Sequence, residues 1–425
     1  MNCLVNSMDN RFKHSGAEWI GTIPTSWATT TVGQIYKERR TKVSDKDYAP
    51  LSVTMRGIVP QLEFVVKTED NDNRKLILQG DFVINSRSDR RGALGVSDYD
   101  GSCSVINTVL YSKDGSDVRY YNYAFQTPLF PDEYYRFGHG IVDDLWTTRW
   151  SEMKNIILPD PDKQTQKRIA DYLDRFCARI QIIIDRTRTV IEEYKLLKNS
   201  AITEAIEGKN SMPEACKQSG LKWIGFIPEN WSVYSARQIC FPVKDPNKAL
   251  EERNLLSLSY GHIIRKDIDS TEGLIPESYD GYNIVGENDI VLRLTDLQND
   301  HKSLRVGFVT EKGIITSAYL TIRTTEFVNP KYLYYYLHAY DVAKGFYSMG
   351  GGIRQSLAWD EFKSLKIAMP PIEEQEQIVC DLDKKCERYD FLIAERERYL
   401  EMLAKYKKSI IYDYVTGKKE VPACQ

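Results

Sequence analysis

Apolar residues recur at alternating intervals of four and three over two separate stretches of the chain. In the first they are Ile169, Leu173, Phe176, Ile180, Ile183, Val190, Tyr194, Leu197 and Ala201, with Thr187 in the same phase. In the second they are Ile378, Leu382, Tyr389, Leu392, Tyr399, Leu403, Tyr406 and Ile410, with Lys385 and Arg396 interrupting the phase. This spacing predicts one long helix per stretch, each with a seam that must be covered. Neither stretch contains proline or an internal glycine. Both stop at a Gly-Lys pair, Gly208-Lys209 and Gly417-Lys418, where the glycine suits a left-handed C-terminal cap. At 1.5 Å per residue, about 44 residues span roughly 65 Å, which exceeds the helices of ordinary globular domains. Two seams in one chain can bury each other, so an antiparallel coiled coil is expected.

The two stretches also align with each other without gaps. Ile169-Ala170-Asp171-Tyr172-Leu173-Asp174 answers to Ile378-Val379-Cys380-Asp381-Leu382-Asp383, and Cys177 to Cys386. The duplication extends further. Ser15-Gly16, Trp19-Ile20-Gly21, Ile23-Pro24 and Trp27 recur as Ser219-Gly220, Trp223-Ile224-Gly225, Ile227-Pro228 and Trp231. Trp150-Ser151-Glu152-Met153-Lys154 recurs as Trp359-Asp360-Glu361-Phe362-Lys363, each followed by a strand and a proline-rich turn. Between these flanks lie short alternating runs bounded by turn residues, such as 49–54, 80–84 and 105–111, and 255–260, 288–292 and 318–322. They predict a mixed sheet or partly closed barrel in each half, with one short aromatic helix apiece near 120–125 and 330–338. The predicted organisation is an N-terminal tail (1–13), a first α/β domain (14–162), a central helix (163–210), a second α/β domain (211–371), a C-terminal helix (372–418) and a tail (419–425). The fold class is α+β with a pseudo-twofold internal repeat. The flanks repeat well and the domain interiors repeat poorly, so a duplicated frame holds two domains that have diverged.

Composition narrows the class. The chain has 425 residues, 28% charged and 42% hydrophobic, with a net charge of −3. That is globular composition, and a nucleic-acid surface would have to gather its positive charge on one face. No apolar run is long enough to cross a bilayer, and the first residues lack the regions of a signal peptide. Eight dispersed cysteines without a Cys-x-x-Cys pair fit reduced, cytoplasmic thiols.

The arrangement resembles the specificity subunits of type I restriction–modification enzymes over essentially the whole chain. The resemblance rests on the duplicated Trp-Ile-Gly-x-Ile-Pro-x-x-Trp segment, the proline-rich entry to Ile-x-x-x-Leu-Asp, the Gly-Lys exit and Gly350-Gly351-Gly352-Ile353-Arg354-Gln355. It implies two target recognition domains, each reading half of a split sequence in double-stranded DNA. It also implies two spacer helices that set the gap and dock two methyltransferase (modification) subunits, and through them restriction subunits. The first domain departs from the pattern, with Phe137-Gly138-His139-Gly140-Ile141 in place of the triple-glycine loop.

Base edges and phosphates are read mainly by Arg, Lys, Asn, Gln and small hydroxyls. In the first domain the densest such cluster is Asn85, Ser86, Arg87, Arg90 and Arg91, directly after a predicted strand, with Arg56 in a neighbouring turn. In the second, Arg293 and Thr295 stand in the place of Arg87, with Arg265, Lys266 and Arg305 in nearby loops and Arg354-Gln355 after the glycines. No catalytic constellation accompanies them. The five histidines are scattered without metal spacing, and there is no P-loop, no glycine-rich cofactor turn and no Asn/Asp-Pro-Pro-Tyr/Phe tetrad. No metal or cofactor is expected, and catalysis is expected from partner chains. The alternative reading is a coiled-coil scaffold with two protein-binding domains and no salt-dependent DNA affinity.

Overall fold

The computed structural model describes residues 11–61, 72–87, 91–113, 117–140, 146–209, 215–248, 250–270, 278–300, 303–349 and 356–422. The chain divides into two compact units, Met1–Thr187 with Arg398–Gln425, and Arg188–Glu397. The long helices, Lys163–Ile206 and Ile372–Val415, each begin in one unit and end in the other.

In the first unit a four-stranded sheet runs in the order Leu94–Val96, Phe82–Asn85, Asn107–Ser112, Tyr36–Glu38. In the second, Val306–Phe308, Ile290–Leu292, Leu320–Thr324 and Cys240–Pro242 repeat that order. The expectation of mixed sheets is corrected: every ladder among the described residues is antiparallel, and parallel pairing is confined to isolated bridges at Pro50↔Ser102 and Leu255↔Ile314. Where strands follow one another closely, as in the hairpins 51–54/57–60 and 256–259/262–265, antiparallel pairing needs no long crossover.

The duplicated segments have physical reasons. Trp27 meets Tyr120 edge-on at 6.5 Å, and Trp231 meets Tyr332 at the same separation. Gln166 and Gln375, both buried, each donate to the carbonyl of the preceding proline turn, at Pro161 (2.8 Å) and Pro370 (2.9 Å). The final aspartate of the repeated helix motif joins each helix to its domain. Asp174 accepts from the Tyr123 hydroxyl at 2.7 Å and pairs with Arg119, and Asp383 accepts from the Tyr335 hydroxyl at 2.6 Å and pairs with Lys331 at 2.7 Å. In the short helices Arg119–Phe125 and Pro330–Val342 the cation and the tyrosine lie four residues apart, on one helical face. Burial and these carboxylates push both phenol pKa values well above their ordinary range.

Within each unit the two helix segments run antiparallel. In the first, Tyr172 packs on Tyr414 at 4.5 Å and Phe176 on Tyr406 at 5.8 Å. In the second, Lys198 pairs with Asp390 at 2.7 Å, while Ile202 and Ala205 enter the same core as Leu382 and Ile378.

The heptad phase is followed along most of both helices, and in the first helix it fails at two positions. Ile183 and Leu197 are 38% and 50% exposed. Ile169, Leu173, Ile180 and Thr187 of the expected phase are buried, and Ile191 and Ile202, outside it, are buried too, so that Ile169, Ile180, Ile191 and Ile202 recur at intervals of eleven residues. Ile378, Tyr389, Leu400 and Ile411 follow the same interval in the second helix, buried at both ends and half-buried between. Eleven residues make about three turns at 3.67 residues each, close to a straight helix, whereas a strict seven-residue phase drifts about 20° per repeat. Leu173, Ile180 and Thr187 therefore keep the heptad phase over the first part of the helix, and beyond them the buried side shifts to Ile191 and Ile202. In the second helix the expected Ile378, Leu382, Leu403 and Ile410 are buried and Tyr389, Leu392 and Tyr399 partly buried, as are Phe176, Val190 and Tyr194 in the first, while Tyr406 stays half exposed although it meets Phe176.

Candidate nucleic-acid interface

The candidate loop in each domain leaves the sheet at an equivalent point. The strand that delivers it starts at a buried aspartate, Asp81 or Asp289. Asp81 is held by Arg39 (2.7 and 2.9 Å) and caps the amide of Leu78; Asp289 is held by Arg323 (2.7 and 2.9 Å) and caps that of Gly286. Arg39 follows the strand Tyr36–Glu38 and Arg323 lies within Leu320–Thr324, so the ion pair persists while its cation has changed place.

The strand's exit is fixed by two backbone bonds that recur. Asn85 N donates to Ala93 O at 2.9 Å, and Arg293 N to Arg305 O at 2.9 Å. Thr148 N donates to Ser86 O at 3.0 Å, and Leu357 N to Leu294 O at 2.8 Å. Arg293 is therefore the counterpart of Asn85, and Thr295 of Arg87, a register two residues from the one expected between Arg293 and Arg87.

In the first domain Asn85 and Ser86 are buried and shape the loop, Asn85 Oδ1 accepting from the Arg87 amide at 2.9 Å and the Ser86 hydroxyl donating to Ile106 O. Arg87 and Arg91 are exposed, and the Arg91 guanidinium lies 3.5 Å from the Tyr135 ring centroid. The hairpin turn carrying exposed Arg56 comes to the same place, since a Cβ on Gly92 would lie 3.3 Å from the Met55 methyl. Arg56, Arg87 and Arg91 are thus gathered at one end of the sheet. Arg90, Arg354 and Gln355 lie outside the described residues.

Beside Ser86 opens a concavity of about 810 Å³, lined among others by Arg40, Lys42, Lys75, Arg149, Lys154 and Trp150. Glu38 lines it too, paired with Arg40 at 2.7 Å and Lys75 at 3.3 Å, and the net positive lining of five cations and one carboxylate around an indole suits a polyanion with a stacking surface. Sequence reading missed this group because its members come from segments more than a hundred residues apart. The Trp150 repeat flagged the position, but as a structural element.

In the second domain Arg293 and Thr295 are partly exposed, and Arg293 stands 3.6 Å from Asp300. Arg265 is exposed and paired with Glu311, a contact that raises the arginine and lowers the carboxyl. Arg265 and Lys266 stand at the base of the hairpin Leu256–Ser259/His262–Arg265, whereas its turn at Gly261 packs on Leu304. The fold does not bring them to the Arg293 loop. Arg305 is a correction of a different kind: it is completely buried, so it cannot touch DNA directly. Its guanidinium faces inward because the loop turns its carbonyls there.

Among the described residues no group of His, Cys, Asp and Glu could hold a metal ion, and no helix is long and apolar enough to cross a membrane.

Residues 228–388 match the family model for the type I restriction modification DNA specificity domain. The chain is 22% identical over 435 residues to a Methanocaldococcus jannaschii protein provisionally assigned as the specificity subunit of type I restriction enzyme MjaX, covering 95% of this chain and 96% of that one. A solved chain from work on complex assembly and conformational transition of the type I R-M system shares the fold, with a TM-score of 0.63 at 13% identity over 93% of this chain and 99% of that one. The HsdS subunit of Thermoanaerobacter tengcongensis matches at a TM-score of 0.44 and 15% identity, over 93% and 98% of the two chains.

Proposed function

We propose that the chain is a specificity subunit of a type I restriction–modification system, in keeping with its family match and its full-length relative, and that it reads an asymmetric, two-part site in double-stranded DNA for methyltransferase partners. One observation carries the asymmetry: the two units share sheet order, aspartate, loop anchors and helix contacts, yet their exit loops differ in length and composition. Equivalent platforms with different loops would read different bases.

Arg56, Arg87, Arg90 and Arg91 would serve the first half-site, and Arg293, Thr295, Arg354 and Gln355 the second. The basic concavity beside Ser86 would hold backbone phosphates. Joining two modest half-site affinities in one chain raises overall affinity by the effective concentration of the second module. The antiparallel helices would set the gap and carry two modification subunits, to which restriction subunits attach. This chain contributes recognition, and the partners supply methyl transfer and cleavage. Phosphate contacts by Arg and Lys release counterions, so affinity should fall steeply with salt.

The test is adenine-methylation mapping of DNA from cells expressing this chain with its methyltransferase partner. A bipartite asymmetric motif, methylated only when this chain is present, is the expected result. A stable complex with no motif would overturn the reading. Replacing Arg87, Arg90 and Arg91 together should relax one half-site and leave assembly intact.

A further inference from the structure

Arg305 makes an unusual set of contacts for a buried cation. All five of its guanidinium N–H groups have acceptors. Nη1 donates to the carbonyls of Arg293 (3.1 Å) and Thr295 (2.9 Å). Nη2 donates to those of Asp296 (3.4 Å) and Asp300, and Nε to the Tyr347 hydroxyl at 3.1 Å. Four carbonyls spread over eight residues thus converge on one planar fork, whose rigid geometry dictates where each must lie. The backbone amide of Arg305 is itself fixed by buried Asp341, at 2.7 Å.

The loop needs such a pin. Asp296 holds a positive φ of 54°, a conformation side chains rarely adopt without external support. Leu294 and Leu297 are buried, while Arg293 and Thr295 between and beside them remain partly exposed. The fork therefore fixes the carbonyls of the two residues that present polar side chains outward.

Among the described residues the first domain has no such pin. The equivalent of Arg305 is buried Ala93, eight positions after Asn85, whereas Arg305 comes twelve positions after Arg293. The longer loop of the second domain encloses space that the guanidinium fills.

We propose that Arg305 is a specificity-determining positioning residue: it touches no DNA, but fixes the 293–300 loop and so decides which bases the second domain accepts. The proposal rests on the reading that this domain recognises a half-site. The experiment is methylation mapping in cells expressing the full chain with its methyltransferase partner, comparing the unaltered chain with Arg305→Lys and Arg305→Met. Both variants should lose at least tenfold discrimination at one or more positions of the half-site that the Arg87, Arg90 and Arg91 changes leave untouched. The other half-site and the gap should be unchanged. A merely structural role would lower methylation at an unaltered motif, and that result overturns the proposal. Should Arg305→Met yield no complex, Tyr347→Phe removes one acceptor and should relax the same half-site alone; an unaltered motif there overturns the proposal equally. An unaltered chain that directs no bipartite motif would instead refute the functional reading itself.

Discussion

The glycine that ends each long helix offers a sharp quantitative test of the duplicated frame. Gly417 has φ +71°, and a Cβ added there would sit 2.5 and 2.6 Å from Pro24 Cδ and Cγ and 2.9 Å from the Trp27 ring. Gly208 has φ +75°, with Pro228 Cδ at 2.7 Å and the Trp231 ring at 3.4 Å. Gly220 has φ +72° with nothing within 4 Å, so it isolates the backbone cost. Alanine in the left-handed region costs about 1 kcal/mol, and forcing a methyl into a packed contact adds about 1–3 kcal/mol. Gly417→Ala should therefore destabilise by about 2–4 kcal/mol, Gly208→Ala somewhat less and Gly220→Ala by about 1 kcal/mol. Urea unfolding of the full chain measures the loss, and hydrogen exchange at the last turn of each helix locates it. If Gly417→Ala costs no more than Gly220→Ala, the close approach of proline and tryptophan to the helix stop is not what the repeated lead-in is for.

Three further outcomes follow from particular contacts. Burial of His338 against Asn199 lowers its pKa from 6.5 to about 4, so the unfolded chain protonates first and stability falls as pH drops from 6.5 towards 4, by about 3 kcal/mol in all. Burial raises Asp341 from 3.8 to about 6, which has the opposite sign, the folded chain taking up its proton first as pH falls. These two contributions should nearly cancel; relative to the unaltered protein, His338→Gln should gain stability on acidification through this range and Asp341→Asn should lose it, both read by urea midpoints against pH. Asp174→Ala and Asp383→Ala should each cost about 1 kcal/mol after allowance for solvent screening, with the larger loss at Asp383, whose side chain is 27% exposed against 42% for Asp174. Removing one eleven-residue interval from both helices keeps the isoleucine stripe in phase and should shorten the gap of the methylated motif, and an unchanged gap would refute the idea that the helices set it.

Local chemistry determined much of this protein from sequence alone. Sustained apolar periodicity without proline forces long helices, even where Lys385 and Arg396 interrupt it, and a glycine before lysine stops them. A repeat of two tryptophans, a proline and an aspartate at fixed spacing announces two copies of one frame, because each residue fills a place in a packed contact. What the sequence left undecided depended on partners distant in the chain. The buried stripe of the long helices was written in Ile169, Ile180, Ile191 and Ile202, but heptad and eleven-residue readings share many positions, and only the burial of Ile191 and Ile202 against the exposure of Ile183 and Leu197 separates them. The basic concavity draws on Arg40, Lys75 and Arg149, whose proximity is a product of strand pairing. Arg305 is the clearest case. In sequence an arginine beside a strand reads as a surface cation, because desolvating a charge is costly. Only the folded loop supplies the four inward carbonyls and the phenol that make its burial possible.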